Sequence, residues 1–235
     1  MYLDDFHSIQ NDLIIITPEQ GSRFAKEVSD DFNPLHNPDS KRFCVPGDLL
    51  FAMTLARFGL SEKMTFNYTG MVGKEVELVF PESADNSFII KDSNDKAYLD
   101  ISRDGNISND MNLIEGFSRA YVAFSGHSFP HILVPLMKQN NVMINPDRPM
   151  VIYESMAFSF DNFEVNKPNL KLSNTSLDVE GKRGTVRIEF DVLDDETKVG
   201  SGYKTMVLSG LREYDQDKVD GLIDLYETSK SSYVA

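Results

Sequence analysis

The order of elements most restricts what this chain can fold into: an apolar helix followed by several alternating strands occurs twice in 235 residues. Pro46-Gly47 opens the first such helix, and Leu49, Leu50, Met53, Ala56 and Leu60 give it a wide apolar stripe that ends near Gly59. Residues 64–80, 87–91 and 96–102 then alternate with a period of two, with turn signals such as Asp104-Gly105, and 106–117 can supply one more strand. A second apolar segment, FPHILVPLM at 129–137, is again followed by strand-like stretches: VIYESMAFSF, LKLSNTSLDV, GTVRIEFDVL and GSGYKTMVLSGL. Aligning VPGDLLFAM (45–53) with FPHILVPLM matches proline with proline and methionine with methionine, so central helices are expected over 46–60 and 129–140.

A helix wrapped by a curved antiparallel sheet, present twice, is the layout of a double hotdog, an α+β fold. The two units are expected at residues 1–115 and 116–235. Two further helices flank them. Thr17-Pro18-Glu19-Gln20 has capping-box spacing with proline at the first helical position, and Asn33-Pro34 forces the chain out of helical angles soon afterwards. At the other end Val219, Leu222, Ile223 and Tyr226 share one face of an amphipathic helix within 215–229.

Composition closes off several function classes. The chain is 41% hydrophobic and 26% charged, as an ordinary globular protein is, and no apolar run is long enough to span a bilayer. Thirty-seven acidic against 23 basic residues give a net charge of −14, which repels nucleic acid, and no basic stripe with interleaved aromatics offsets it. The acidic N-terminus lacks the layout of a secretion signal, and the lone Cys44 excludes an intramolecular disulfide. The expected location is the cytoplasm, with no nucleic-acid or membrane partner.

The chemistry concentrates in SDDFNPLHNPD, residues 29–39. Asp31 and His36 lie on one turn stiffened by Pro34, and such a pair can reach a single water, taking a proton from it and returning one elsewhere. Asn33 is suited to bridging turn backbone groups. Downstream, the N–H groups of Gly47 and Asp48 at the start of the central helix can polarise a carbonyl, and Gly47 lets a ligand approach the backbone. A purely structural turn satisfies the same spacing. Asp48 is more often a dipole-stabilised helix-start residue than a catalytic acid. Cys44 reads as a buried small hydrophobe. His127 and His131 have metal-pair spacing, but Pro130 breaks the helix between them and no acid completes a ligand set nearby. Lys41 and Arg42, the only basic pair near the motif, can meet a phosphate but more commonly form a solvated loop pair.

The Asp-x-Asn-Pro-Leu-His run resembles the signature of the MaoC-like (R)-specific enoyl-CoA hydratases, over about residues 24 to 36. That resemblance implies a hotdog fold, often duplicated, in which Asp31 and His36 drive water addition to a trans-2-enoyl thioester or the reverse dehydration. It also implies Asn33 as loop support, a CoA thioester or acyl carrier protein as partner, and no cofactor beyond the CoA or phosphopantetheine of the substrate. A homodimer of double-hotdog chains fits the same resemblance. The connection from His36 to the helix is shorter than the family's, Pro46-Gly47 replaces its His-Gly, and Leu55 stands where a hydroxyl is usual, with Thr54 beside it. The acyl-carrier-protein dehydratases resemble the chain through His followed by Pro-Gly-x-Leu, but their helix glutamate falls at Ala52. Two alternatives stay open: a thioesterase in which the same water attacks the thioester carbonyl, and a non-catalytic acyl-thioester-binding or scaffold protein. The proline alignment puts Glu115 and Ala120 opposite Asp31 and His36, so one site per chain is expected.

Overall fold

The computed structural model describes residues 2–234. A short hairpin, β1 (Ser8–Gln10) and β2 (Leu13–Ile15), turns at Asn11 and Asp12, both with positive φ. Helix α1 (Pro18–Arg23) carries the complete capping box between Thr17 and Gln20 and runs on through a wider π turn at Phe24–Val28. The first repeat follows: α2 (Gly47–Phe58), β3 (Leu60–Tyr68), β4 (Glu77–Val79), β5 (Ser87–Asp92) and β6 (Ala97–Ser108). The second consists of α3 (Met111–Gly126), α4 (Leu133–Gln139), β7 (Val142–Met143), β8 (Val151–Phe160), β9 (Pro168–Glu180), β10 (Arg183–Asp194) and β11 (Thr197–Ser209). After β12 (Arg212–Glu213), α5 (Gln216–Ser231) ends the described chain.

Ten strands form one antiparallel sheet in the order β1-β2-β4-β5-β6-β3-β8-β11-β10-β9. Outward from the centre, β3-β6-β5-β4 on one side mirrors β8-β11-β10-β9 on the other, and the two sets join where Met64 pairs with Phe158 and Phe66 with Met156. Helices α2 and α3 lie together inside the curl. Phe51 of α2 sits among Phe66, Phe117, Tyr121 and Phe158, with ring centroids 4.7–6.4 Å away. The fold is a double hotdog.

The second central helix is not where the proline alignment puts it. It is α3, whose first part, 111–117, falls in the stretch expected to supply a strand, whereas 129–140 contributes only the short α4. The helical period is present: Leu113, Ile114, Phe117, Tyr121 and Val122 are buried on one face, and the Asp110 side chain caps the start by accepting from the Asn112 N–H. The apolar run at 129–137 instead fills a satellite core beneath β10 and β11, with Leu133, Leu136 and Met137 packed near Val186, Ile188 and Val219. Pro135 falls in the first turn of α4, where a missing N–H costs little. The alignment of Pro46 with Pro130, and with it the equivalence of Glu115 and Ala120 to Asp31 and His36, therefore fails; both residues lie along α3, where Glu115 pairs with Arg119 at 2.8 Å. Residues 115 and 116 lie inside α3, and the topology changes repeat between β6 and α3.

Candidate functional site

After the π turn the backbone reverses at Asp30, with φ at +54°, and the Asp31 N–H returns to the Ala25 carbonyl at 2.8 Å. Asp31 Oδ1 then accepts the Asn33 N–H at 2.9 Å, and Asn33 Oδ1 accepts the Leu35 N–H at 3.1 Å, capping a 3-10 turn over Pro34–His36. These two side-chain oxygens take up the Asn33 and Leu35 N–H groups, which have no backbone acceptor in the turn, and that is why the loop can be stiff without regular structure. Phe32 anchors it from below, buried edge-on against Tyr226 of α5. The Tyr226 hydroxyl donates to the Asp30 carbonyl at 3.1 Å and accepts the Phe32 N–H at 3.4 Å.

That scaffold sets the histidine tautomer. His36 Nδ1 lies 2.7 Å from the Cys44 carbonyl, which can only accept, so Nδ1 carries the hydrogen and Nε2 keeps the free lone pair. Nε2 faces Asp31 Oδ2 at 3.6 Å, and both side chains are mostly buried, 12% and 26% exposed. Both line a cavity of about 410 Å³ walled by the two repeats and α5. A neutral imidazole and a carboxylate present two acceptors to each other at that distance, an arrangement that one water with two hydrogens can satisfy.

Three groups that the motif does not announce line the same cavity. Asp48, Ser125 and Lys204 are 8%, 3% and 5% exposed. The Lys204 ammonium donates to Ser125 Oγ at 2.5 Å and sits 4.4 Å above the Tyr153 ring. Burial pushes the Asp48 carboxyl up, an effect partly offset by Lys204 and by the adjacent Ser125 hydroxyl. Burial likewise lowers the Lys204 ammonium, with Asp48 and then Asp31 opposing the shift. Asp48 Oδ1 is buried without a hydrogen-bond partner. Tyr68, Tyr121 and Tyr153 surround this group, each pushed well up by burial. The Tyr68 hydroxyl donates to the Gly47 carbonyl at 3.0 Å, and the Tyr121 and Tyr153 hydroxyls bond to each other.

The other sequence candidates fall as follows. Gly47 and Asp48 open α2 at the cavity wall, where the first helical N–H groups have no intrahelical acceptor. A Cβ on Gly47 would meet Tyr68 Cε1 at 2.9 Å and Tyr153 Cδ1 at 3.0 Å, so that face of the glycine is filled by rings and does not admit a ligand. Burial pushes the Cys44 thiol up to about 12, in keeping with a packing residue. His127 ends α3 with Nε2 3.3 Å from Asp30 Oδ2, and its ring lies 6.1 Å from that of His131. Among the described residues no group of three or more His, Cys, Asp or Glu is placed to hold a metal ion. Lys41 and Arg42 are exposed and do not line the cavity. Thr54 is fully buried, donating to the Leu50 carbonyl at 2.8 Å, and Leu55 is buried in the core. Of the serines that line the cavity, Ser125 comes from α3 of the other repeat.

A family model described as "Protein of unknown function (DUF3581)" matches residues 1–217. The chain belongs to that family. The match takes in both repeats and stops just inside α5. No curated protein matches the sequence. Among solved structures, a conserved protein of unknown function with hot dog fold from Alicyclobacillus acidocaldarius is similar at 8% identity and a TM-score of 0.46, covering 89% of this chain and 98% of that one. A MaoC-like dehydratase is similar at 9% identity and a TM-score of 0.41, covering 87% and 98%. An acyl-CoA thioesterase II, TesB2, from Mycobacterium marinum is similar at 6% identity and a TM-score of 0.40, covering 92% and 98%. At such TM-scores these likenesses decide nothing about the chain, whose fold rests on its strand order and pairing. No helix among the described residues is long and apolar enough to cross a membrane.

Proposed function

We propose that this protein adds water to, or removes it from, the acyl part of a thioester, with Asp31 and His36 as the acid–base pair. The observation that carries the reading is the pair itself: Nε2 and Oδ2 are 3.6 Å apart on the wall of one cavity, with the imidazole's other nitrogen tied to Cys44. In hydration, the water held between the carboxylate and the neutral imidazole loses a proton to Nε2 as its oxygen bonds to the β-carbon and the C=C electron pair shifts toward the carbonyl. The imidazolium so formed returns that proton to the α-carbon, with Asp31 orienting the water and balancing the charge. The thioester oxygen, gaining enolate character, rests on the N–H groups at the start of α2. Dehydration is the same path reversed. CoA or phosphopantetheine belongs to the substrate, and the reading requires no metal.

The test is turnover of crotonyl-CoA and longer enoyl thioesters, followed for both hydration and hydrolysis. Asp31→Asn and His36→Ala are expected to lower hydration by roughly two to four orders of magnitude, the scale of a positioned acid–base group. Affinity for a saturated acyl thioester should change far less. Hydrolysis without hydration reassigns the chain to the thioesterases. A wild type inert with every thioester leaves a binding protein.

A further inference from the structure

The acid–base reading gives α5 no task, although this helix walls the cavity. Leu222, Leu225, Tyr226 and Ser229 line the cavity at i, i+3, i+4 and i+7, so one face of α5 looks inward. Asp217, Asp220, Asp224 and Glu227 form an exposed acidic face on the other side. The helix is lightly held: of its 16 residues, all described, only Val219 and Tyr226 are buried. Val219 packs into the satellite core, and Lys138 donates to Gln216 close by in sequence. Farther along, the Tyr226 hydroxyl donates to the Asp30 carbonyl and accepts the Phe32 N–H, while the Lys230 ammonium pairs with the Asp30 carboxylate. Between these two anchors stands Gly221, where a Cβ would meet nothing within 4 Å among the described residues. A mid-helix glycine weakens a helix relative to alanine, and packing here does not exclude alanine.

A weak point between two anchors is a hinge. The inner face beyond it is apolar, and Leu225 is 68% exposed although it lines the cavity, a leucine left open for a ligand to cover. Phe129, Leu133, Ile144 and Met206, packed in the same satellite core as Leu222, line the cavity too, so the space beside α5 suits an aliphatic chain. We propose that α5 beyond Gly221 is a hinged lid, which leaves Asp30 to admit a ligand and then closes Leu222 and Leu225 over an aliphatic chain. The latch grips the residues on either side of Asp31, so closing the lid also fixes the loop that carries the carboxylate. That the chain is the acyl group of a thioester rests on the function proposed above; the lid does not.

The experiment uses two probes: N-phenyl-1-naphthylamine, a neutral dye that fluoresces in apolar surroundings, and decanoyl-CoA. In the free protein, amides 222–231 should exchange faster than those of α3, and bound dye should protect them together with the Phe32 N–H. Gly221→Ala should slow exchange at 222–231 roughly 2- to 5-fold, the effect of one mid-helix glycine. In stopped flow the same variant should lower the association and dissociation rates of the dye by that factor and leave Kd unchanged, which a static wall does not do. Tyr226→Phe, with the latch loosened, should speed both rates and lose the dye's protection of Phe32. Leu225→Ala removes a largely exposed side chain, so Tm should not fall, yet Kd for either probe should rise roughly 3- to 10-fold because the chain covers it. If the dye behaves in this way and decanoyl-CoA does not bind, the lid stands and only the thioester reading fails. Gly221→Ala that slows exchange but neither rate, Tyr226→Phe with the wild-type rates, Leu225→Ala with the wild-type Kd, α5 exchange unchanged by bound dye, or a cavity that takes up neither probe would overturn the proposal.

Discussion

Replacing Lys204 by methionine tests whether Asp48 is a buried carboxyl held in its charged form by its neighbours. In the wild type, burial raises the Asp48 carboxyl from its ordinary 3.8 and Lys204 is the chief opposing influence. Without the ammonium that opposition is lost, and the native state takes up a proton at pH values where the wild type does not. A carboxyl whose folded pKa lies above its unfolded one binds more protons in the native state. Stability therefore falls as pH rises from about 3.8 to the folded value and is flat beyond it. The variant extends that window upward, so its deficit should grow with pH by at most about 1.4 kcal/mol per unit. Keeping a carboxyl protonated at pH 7 against an unfolded 3.8 sets a ceiling of about 4 kcal/mol, within the range for breaking one side of a buried pair. Below 3.8 Asp48 contributes no difference, and what separates the two proteins there is the burial penalty of the Lys204 ammonium, which the variant lacks. Lys204 adds an alkaline signature: its folded pKa is lowered, so its burial penalty is relieved as pH climbs toward 10.5, and the variant should lack that rise. Urea unfolding followed by circular dichroism at about pH 4, 6 and 8 measures the trend. Asp48→Asn/Lys204→Met, with neither charge, should lose the pH dependence. A Lys204→Met deficit that is the same at all three pH values, or absent at the highest, would refute the reasoning.

Gly47→Ala should cost about 1–3 kcal/mol in the same unfolding assay, because its Cβ would press on Tyr68 and Tyr153 at about 3 Å. Tyr226→Phe removes the hydroxyl that joins Asp30 to Phe32 and should cost about 1 kcal/mol, with faster amide exchange at Phe32; unchanged exchange there would mean that α5 does not hold the loop. Cys44, with its thiol pushed up to about 12, should resist a disulfide reagent in the folded protein at about pH 8 and react on unfolding.

Much of this fold is written in local patterns. Period-two alternation marks all four long strands of the second repeat, and Pro46-Gly47 marks the start of α2. The capping box at Thr17 is visible because its partners are three residues apart. The error at the second central helix has a specific cause. The proline match between 46 and 130 is coincidental, whereas the 3.6-residue spacing of Leu113, Ile114, Phe117 and Tyr121 is the stronger physical signal. The β1–β2 hairpin escaped because its strands are three residues each and its turn is Asn11-Asp12, without glycine. Within the cavity, Asp31 and His36 are legible because one turn carries both. Ser125 and Lys204 lie 79 residues apart and far from the motif, so only the fold brings them to Asp48. Lys204 left one trace: it falls in phase with Met206 and Leu208, a cation on the apolar face of a strand.

The junction of β3 with β8 has a consequence for how such a site can arise. A sheet assembled from two identical chains would carry every cavity residue in duplicate, so any substitution would appear on both sides of the axis at once. Here the two sides are covalently one molecule, and each face of the seam can drift by itself. His36 comes from one side and Lys204 from the other, so a single pocket holds an imidazole and an ammonium without a mirrored copy of either. The tether also keeps the halves at high effective concentration, so the seam need not be strong enough to hold separate subunits together. Its side chains are released from that duty and are free to serve a ligand.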